Sequence, residues 1–234
     1  MKNGIMLAAF AVLLLGSVFA IEPADPDLTG SVQDRYNFSV TSDNNVTTEG
    51  GNVTNVTVST NASTERWVGF YGNVSGNLLL KKGDLGAALY TWTWTPAGVG
   101  EVCVSTDPAF GWATLANLAS VVGIDTAWNP TVPAAVDNAT GTLNESCNLN
   151  INPIGAVTGL GQQTANNAGT YNWETCAVAD TGAPAAKNDY AFCVNISLGN
   201  TPAPSNQTAM YQVIAPANAT ATALETYFFY VELI

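Results

Sequence analysis

Apolar residues in this chain alternate with Thr, Ser and Asn over most of its length, a period of two that predicts β-strands. Between Gly50 and Leu80, Val53, Val56, Val58, Trp67, Phe70 and Tyr71 supply strand formers. They predict strands over Val53–Ser59 and Arg66–Asn73, joined by a polar Thr60–Thr64 connection. Asn77–Lys81 and Ala87–Thr95 read as the next pair, with Lys82-Gly83-Asp84 as the turn. In the latter strand Tyr90, Trp92 and Trp94 fall on one face, a core face by aromatic burial or alternatively a sugar-stacking platform. Gly100–Ser105 turns Val102 and Val104 inward and Glu101, Cys103 and Ser105 outward. Thr170–Ala179 and Tyr190–Ser197 form a predicted hairpin around Gly182-Ala183-Pro184, and Ala209–Ala215 and Thr226–Ile234 follow. No anchor, sorting tail or GPI signal is expected beyond that last apolar strand.

The period changes once. Asp107-Pro108 supplies a cap and an N1 proline, and Trp112, Leu115, Leu118, Ala119 and Val122 recur at helical spacing up to Gly123. Ile124–Gly169, rich in Asn, Pro, Gly and Thr, reads as a long loop laid over a β-domain. The expected fold is therefore all-β: an antiparallel β-sandwich, immunoglobulin- or jelly-roll-like, with one short helix and a long disulfide-stapled loop, in a single domain over 51–234.

Residues 1–20 carry one Lys, an apolar run and a small-residue ending, the pattern of a signal peptide cleaved between Ala20 and Ile21. Residues 21–50 read as a polar leader. Within it Tyr36, Phe38 and Val40 alternate with Asn37, Ser39 and Thr41, so this stretch is also a candidate donor strand for a neighbouring subunit.

Composition adds a compartment. Charged residues make up only 10% of the chain, so solubility must come from Asn, Thr, Ser, Gly and attached sugars. Eleven Asn-x-Ser/Thr acceptors are present, at Asn37, Asn45, Asn52, Asn55, Asn61, Asn73, Asn138, Asn144, Asn195, Asn206 and Asn218. They predict N-linked glycans on an extracellular, cell-surface protein that meets the membrane only during export. The net charge of −12 excludes nucleic acid, whose phosphates need clustered Lys and Arg. Histidine is absent, which excludes Ser-His-acid and Cys-His catalysis, His-ligated zinc and c-type haem attachment.

The four cysteines, none in a CxxC spacing, predict two disulfides. A hairpin register that opposes Val178 with Ala191 also opposes Cys176 with Cys193, which favours Cys176–Cys193 together with Cys103–Cys147. Cys103–Cys193 with Cys147–Cys176 is the second choice. Glu65, Glu101, Glu174 and Asp189 are the carboxylates to consider for glycoside hydrolysis, but their spacing singles out no pair. Asp25, Asp27, Asp34 and Asp43 lack the pattern of a calcium loop. No metal, cofactor or catalytic role is expected.

The segments WVGFYGNVSGNLLL, ALYTWTW, DYAFCVNIS and YFFYVELI resemble secreted, acceptor-dense, histidine-poor β-rich surface proteins of archaea, among them the subunits of threads and bundling pili. That resemblance implies a glycosylated homopolymer in which an N-terminal strand, here within Ile21–Thr41, completes the neighbour's fold. A carbohydrate-binding or adhesion module using Trp67, Trp92 or Trp94 is the alternative, and a histidine-free carboxylate hydrolase the third.

Overall fold

The computed structural model describes residues 64, 66–81, 88–94, 100–128, 137–152, 154–165, 171–198, 201–202, 207–218 and 224–233. The signal peptide with its Ala20–Ile21 cleavage, the donor residues Tyr36, Phe38 and Val40, the Val53–Ser59 strand, Glu65 and the four aspartates at 25–43 lie outside them.

The fold is all-β and antiparallel. In chain order the strands are β1 (Trp67–Gly72), β2 (Gly76–Lys81), β3 (Ala88–Trp94), β4 (Gly100–Ser105), β5 (Glu145–Ile151), β6 (Gly155–Ala165), β7 (Tyr171–Ala179), β8 (Tyr190–Asn195), β9 (Thr201–Pro202), β10 (Thr208–Ala209), β11 (Tyr211–Pro216) and β12 (Phe228–Leu233). Six of them make one sheet in the order β12-β4-β8-β7-β6-β5, while β1 pairs with β11, β2 with β3 and β9 with β10.

The large sheet is covered on both faces, which explains why β4 is buried at all six positions. Val102 and Val104 point to one side, as alternation requires, and meet Phe192, Val194, Val213 and Ala215 in the larger core. Thus β1–β11 lies over that face. Glu101, Cys103 and Ser105 do point to the opposite side, but that side is not solvent. A smaller core of Phe110, Trp112, Leu149, Val178 and Tyr230 covers it.

The cover is the segment expected to be a helix. Only Trp112–Thr114 forms a 3-10 turn, and the α-helix (α1, Val122–Trp128) begins where the expected one should end. The competing partner is the sheet. Ala116 N donates to Ala179 O at 2.9 Å and Leu118 N to Thr158 O at 3.0 Å, bonds that hold the strap extended. Trp112 packs edge-on to Phe110 and Tyr230, and Tyr230 Oη donates to Asp107 O at 2.5 Å. The helical spacing of Trp112 and Leu118 marked burial, not a helix.

The stretch read as a long loop contains α1, a second short helix (α2, Ala139–Thr142) and the two strands β5 and β6. Asn and Gly hid those strands by replacing the usual strand formers. In β5 the alternation is nonetheless clean, with Cys147, Leu149 and Ile151 buried between exposed Asn148 and Asn150.

The disulfides are Cys103–Cys193 and Cys147–Cys176, so the favoured pairing is corrected to the second choice. The register that favoured it does occur: Val178 opposes Ala191 and Cys176 opposes Cys193. However, β8 has a second neighbour, and there Cys103 opposes Cys193 with the Cα atoms 4.0 Å apart. Cys176 instead reaches across β6 to Cys147. In a flat sheet, next-nearest strands lie about 9.5 Å apart, whereas these Cα atoms are 5.8 Å apart. The sheet is folded at β6, and glycine permits it. A Cβ on Gly159 would stand 2.1 Å from Ala177 O and 3.0 Å from Cys176 Sγ, and one on Gly161 3.0 Å from Cys147 Sγ. Gly159→Ala is expected to destabilise the protein by about 2–3 kcal/mol through overpacking, measured by urea denaturation. An unchanged midpoint would contradict the glycine corner.

Candidate functional site

The β2–β3 hairpin departs from the rest of the fold. Its register opposes Leu78 with Trp92 and Leu80 with Tyr90, so these four side chains share one face, together with Trp94 opposite Gly76. At the root that face is packed. Trp94 is buried, Leu78 joins the larger core, and a Cβ on Gly76 would meet Leu233 Cδ1 at 2.6 Å. Towards the turn it overhangs: Leu80 is 51%, Trp92 53% and Tyr90 69% exposed. On the other side Leu79 and Leu89 are also exposed. Among the described residues, neither outer edge of the hairpin has a strand partner. An edge with unpaired N–H and C=O groups beside apolar side chains is a template for another strand.

The three tryptophans considered for sugar stacking therefore separate. Trp94 is buried, Trp67 is half-buried with Nε1 donating to Asp137 O at 2.8 Å, and Trp92 presents its ring to solvent next to Tyr90.

Five glycan acceptors fall within the described residues. Asn73 in the β1–β2 connection, Asn144 before β5 and Asn195 at the end of β8 are exposed. Asn138 is half-buried and caps α2, its Oδ1 accepting from Gly141 N at 2.6 Å. Asn218 is half-buried after β11, its Oδ1 accepting from Lys187 Nζ. Asn37, Asn45, Asn52, Asn55, Asn61 and Asn206 lie outside the described residues.

Of the four carboxylates considered for catalysis, Glu174 lies half-buried on β7, where burial and then the charge of Glu145 raise its pKa. Asp189 accepts from the backbone N–H groups of Ala185 and Ala186. Glu101 is drawn into a pair that the spacing did not indicate. It opposes Glu232 across β4 and β12, and the two are only 3% and 1% exposed. Glu232 accepts from Asn152 N and, at 2.5 Å, from Asn152 Nδ2, contacts that lower its pKa against the stronger effect of burial. Burial first, then the Glu232 charge and the hydrogen bond to it, push Glu101 up to about 8 against a bond from the Asn150 backbone. One proton kept between Glu101 and Glu232 is the arrangement two close carboxyl groups take when only one charge is tolerated. The only sequence signal for this pair was a Glu at an equivalent alternate position in each of two apolar strands.

A shallow depression between β1 and the short helices is lined by Arg66, Trp67, Asp125, Trp128 and Asp137. Asp125 there accepts from Ala139 N, Thr140 N and Thr140 Oγ1, and Asp137 pairs with Arg66 at 3.3 Å. Among the described residues no three Cys, Asp or Glu side chains come together as a metal site. No described helix is long and apolar enough to cross a membrane. Comparison with known proteins finds no matching family, no similar curated protein and no similar solved structure.

Proposed function

We propose that this chain is a non-enzymatic, exported and N-glycosylated structural subunit that polymerises at the cell surface by strand addition. The observation that carries the reading is the β2–β3 hairpin, which offers open edges and an overhanging apolar face. The occupant is the leader of a second copy, whose Tyr36, Phe38 and Val40 alternate as an added strand requires. Disulfides and accessible acceptors suit an oxidising exterior. The net charge of −12 keeps copies apart except where apolar surface brings them together.

Tyr90→Lys tests this directly. The exposed position should leave folding stability within about 0.5 kcal/mol, while filaments seen by electron microscopy of the expressed full chain disappear. Deleting Ile21–Thr41 should have the same effect on assembly. Filaments that survive both changes would sink the strand-addition reading.

A second reading rests on the exposure of Trp92 beside Tyr90, which makes a sugar-stacking surface. Under that reading Trp92→Ala abolishes glycan binding by a protein that remains monomeric.

A further inference from the structure

Three chain segments meet at one end of the fold to place an amine, an amide and a carboxylate together. Lys187 opens the 3-10 turn before β8, Asn218 follows β11, and Glu225 precedes β12. Lys187 Nζ lies 2.8 Å from Asn218 Oδ1 and 2.5 Å from Glu225 Oε1. The second carboxylate oxygen, Glu225 Oε2, accepts from Trp128 Nε1 at 3.1 Å and lies 3.3 Å from Tyr227 Oη. The Tyr227 hydroxyl itself donates to Pro216 O at 2.6 Å, and burial, followed by the Glu225 charge, raises its pKa. The Trp128 ring, 6% exposed, has Lys187 Nζ 5.3 Å from its centroid. The side chains of Lys187 and Glu225 are 27% and 11% exposed, so this is a largely enclosed, aromatic-walled site.

We propose that Lys187 and Asn218 form an intramolecular isopeptide bond, with Glu225 as the proton carrier. Lys187 Nζ is hydrogen-bonded to both the amide it would attack and the carboxylate that would take its proton. A nucleophile held against the carbonyl it attacks gains the large advantage of an intramolecular reaction. A carboxylate fixed by Trp128 can take a proton from one nitrogen and return it to another.

Glu225 takes one proton from the Lys187 ammonium, and the neutral Nζ adds to Cγ of Asn218. The tetrahedral carbon then expels Nδ2, to which Glu225 relays protons shed by Nζ. The C–Nδ2 bond breaks, the Nζ–Cγ bond remains, and the amide nitrogen departs as ammonium. A primary ammonium and a primary amide thus become a secondary amide and ammonium, with Glu225 restored as a carboxylate. No oxidant, reductant or cofactor enters the balance.

Asn218-Ala219-Thr220 is also a glycan acceptor, and a glycan would need the Nδ2 that the cross-link expels, so the two modifications exclude each other. The geometry assigns the Asn218 side chain to the cross-link, since its Oδ1 is already held by Lys187. The bond would join the strand order of the six-stranded sheet, through β8, to the β1–β11 layer packed on it.

Mass spectrometry of the full chain after proteolysis provides the test. The expected product is a branched peptide joining Lys187 to Asn218, lighter by one ammonia, about 17 Da, than its two linear parts. Glu225→Gln should slow its formation by about 100-fold, and Lys187→Arg should abolish it. Linear peptides with a free Lys187 and an unmodified or glycosylated Asn218 in the wild-type protein would overturn the proposal. So would Glu225→Gln protein that cross-links at the wild-type rate.

Discussion

Glu101→Gln is expected to make the protein more stable at pH 8 and to leave it unchanged at pH 4. At low pH both the folded and unfolded chains keep the Glu101 proton, and the pair carries no penalty. Above the ordinary value of 4.5 the unfolded chain ionises, while burial and Glu232 hold the proton in the folded chain up to about 8. The folded state then binds more protons than the unfolded one, so stability falls as pH rises through this window, by up to about 1.4 kcal/mol per pH unit. Burial also raises Glu174 and Asp180, which adds to the decline in the same direction. A Gln at position 101 keeps a donor towards Glu232 at every pH and should flatten the curve. Urea titrations between pH 4 and 9 would show it. A wild-type stability that climbs over this range would contradict a shared proton in the core.

The second large effect concerns the disulfides. Cys103–Cys193 closes a separation of 90 residues and Cys147–Cys176 one of 29. In the chain-entropy account these correspond to about 4.5 and about 3.5 kcal/mol, respectively. Together they approach the whole stability of an ordinary domain, about 5–15 kcal/mol. Paired Cys103→Ser and Cys193→Ser should therefore lower stability more than the Cys147 and Cys176 pair does, and full reduction should unfold much of the population at 37 °C. Non-reducing peptide maps give an independent check. A peptide linking Cys103 to Cys147 would refute the sheet register itself, since β4 and β5 lie at opposite sides of β8.

The strands that were legible in the sequence were those built from β-branched and aromatic residues. β1, β2, β3, β4, β7, β8, β11 and β12 fall within a few residues of their expected positions. β5 and β6 were hidden because one sets Asn148 and Asn150 between its apolar residues and the other carries glycines where a disulfide must pass. The Gly159-Leu160-Gly161 spacing was the available sign: two missing side chains on one face of a strand announce something packed there. Sequence also gave the correct sides of β4 but not what covered them, since a strap such as Phe110–Leu118 declares its burial without declaring its partner. The hairpin aromatics erred in the opposite sense. Their alternation was right, but exposure at Tyr90 and Trp92 depends on how far the larger core extends under the hairpin, which no local pattern encodes.

The two disulfides are nested, since positions 147 and 176 both lie between 103 and 193. Tension applied to the chain outside residues 103 and 193 runs through a sulfur–sulfur bond and bypasses everything between. With a separation of 90 residues, this removes about 300 Å from the length that a pulled chain can reach. The strands inside the bridge can lose their hydrogen bonds without lengthening the molecule, so the chain would resist stretching even where individual sheets yield.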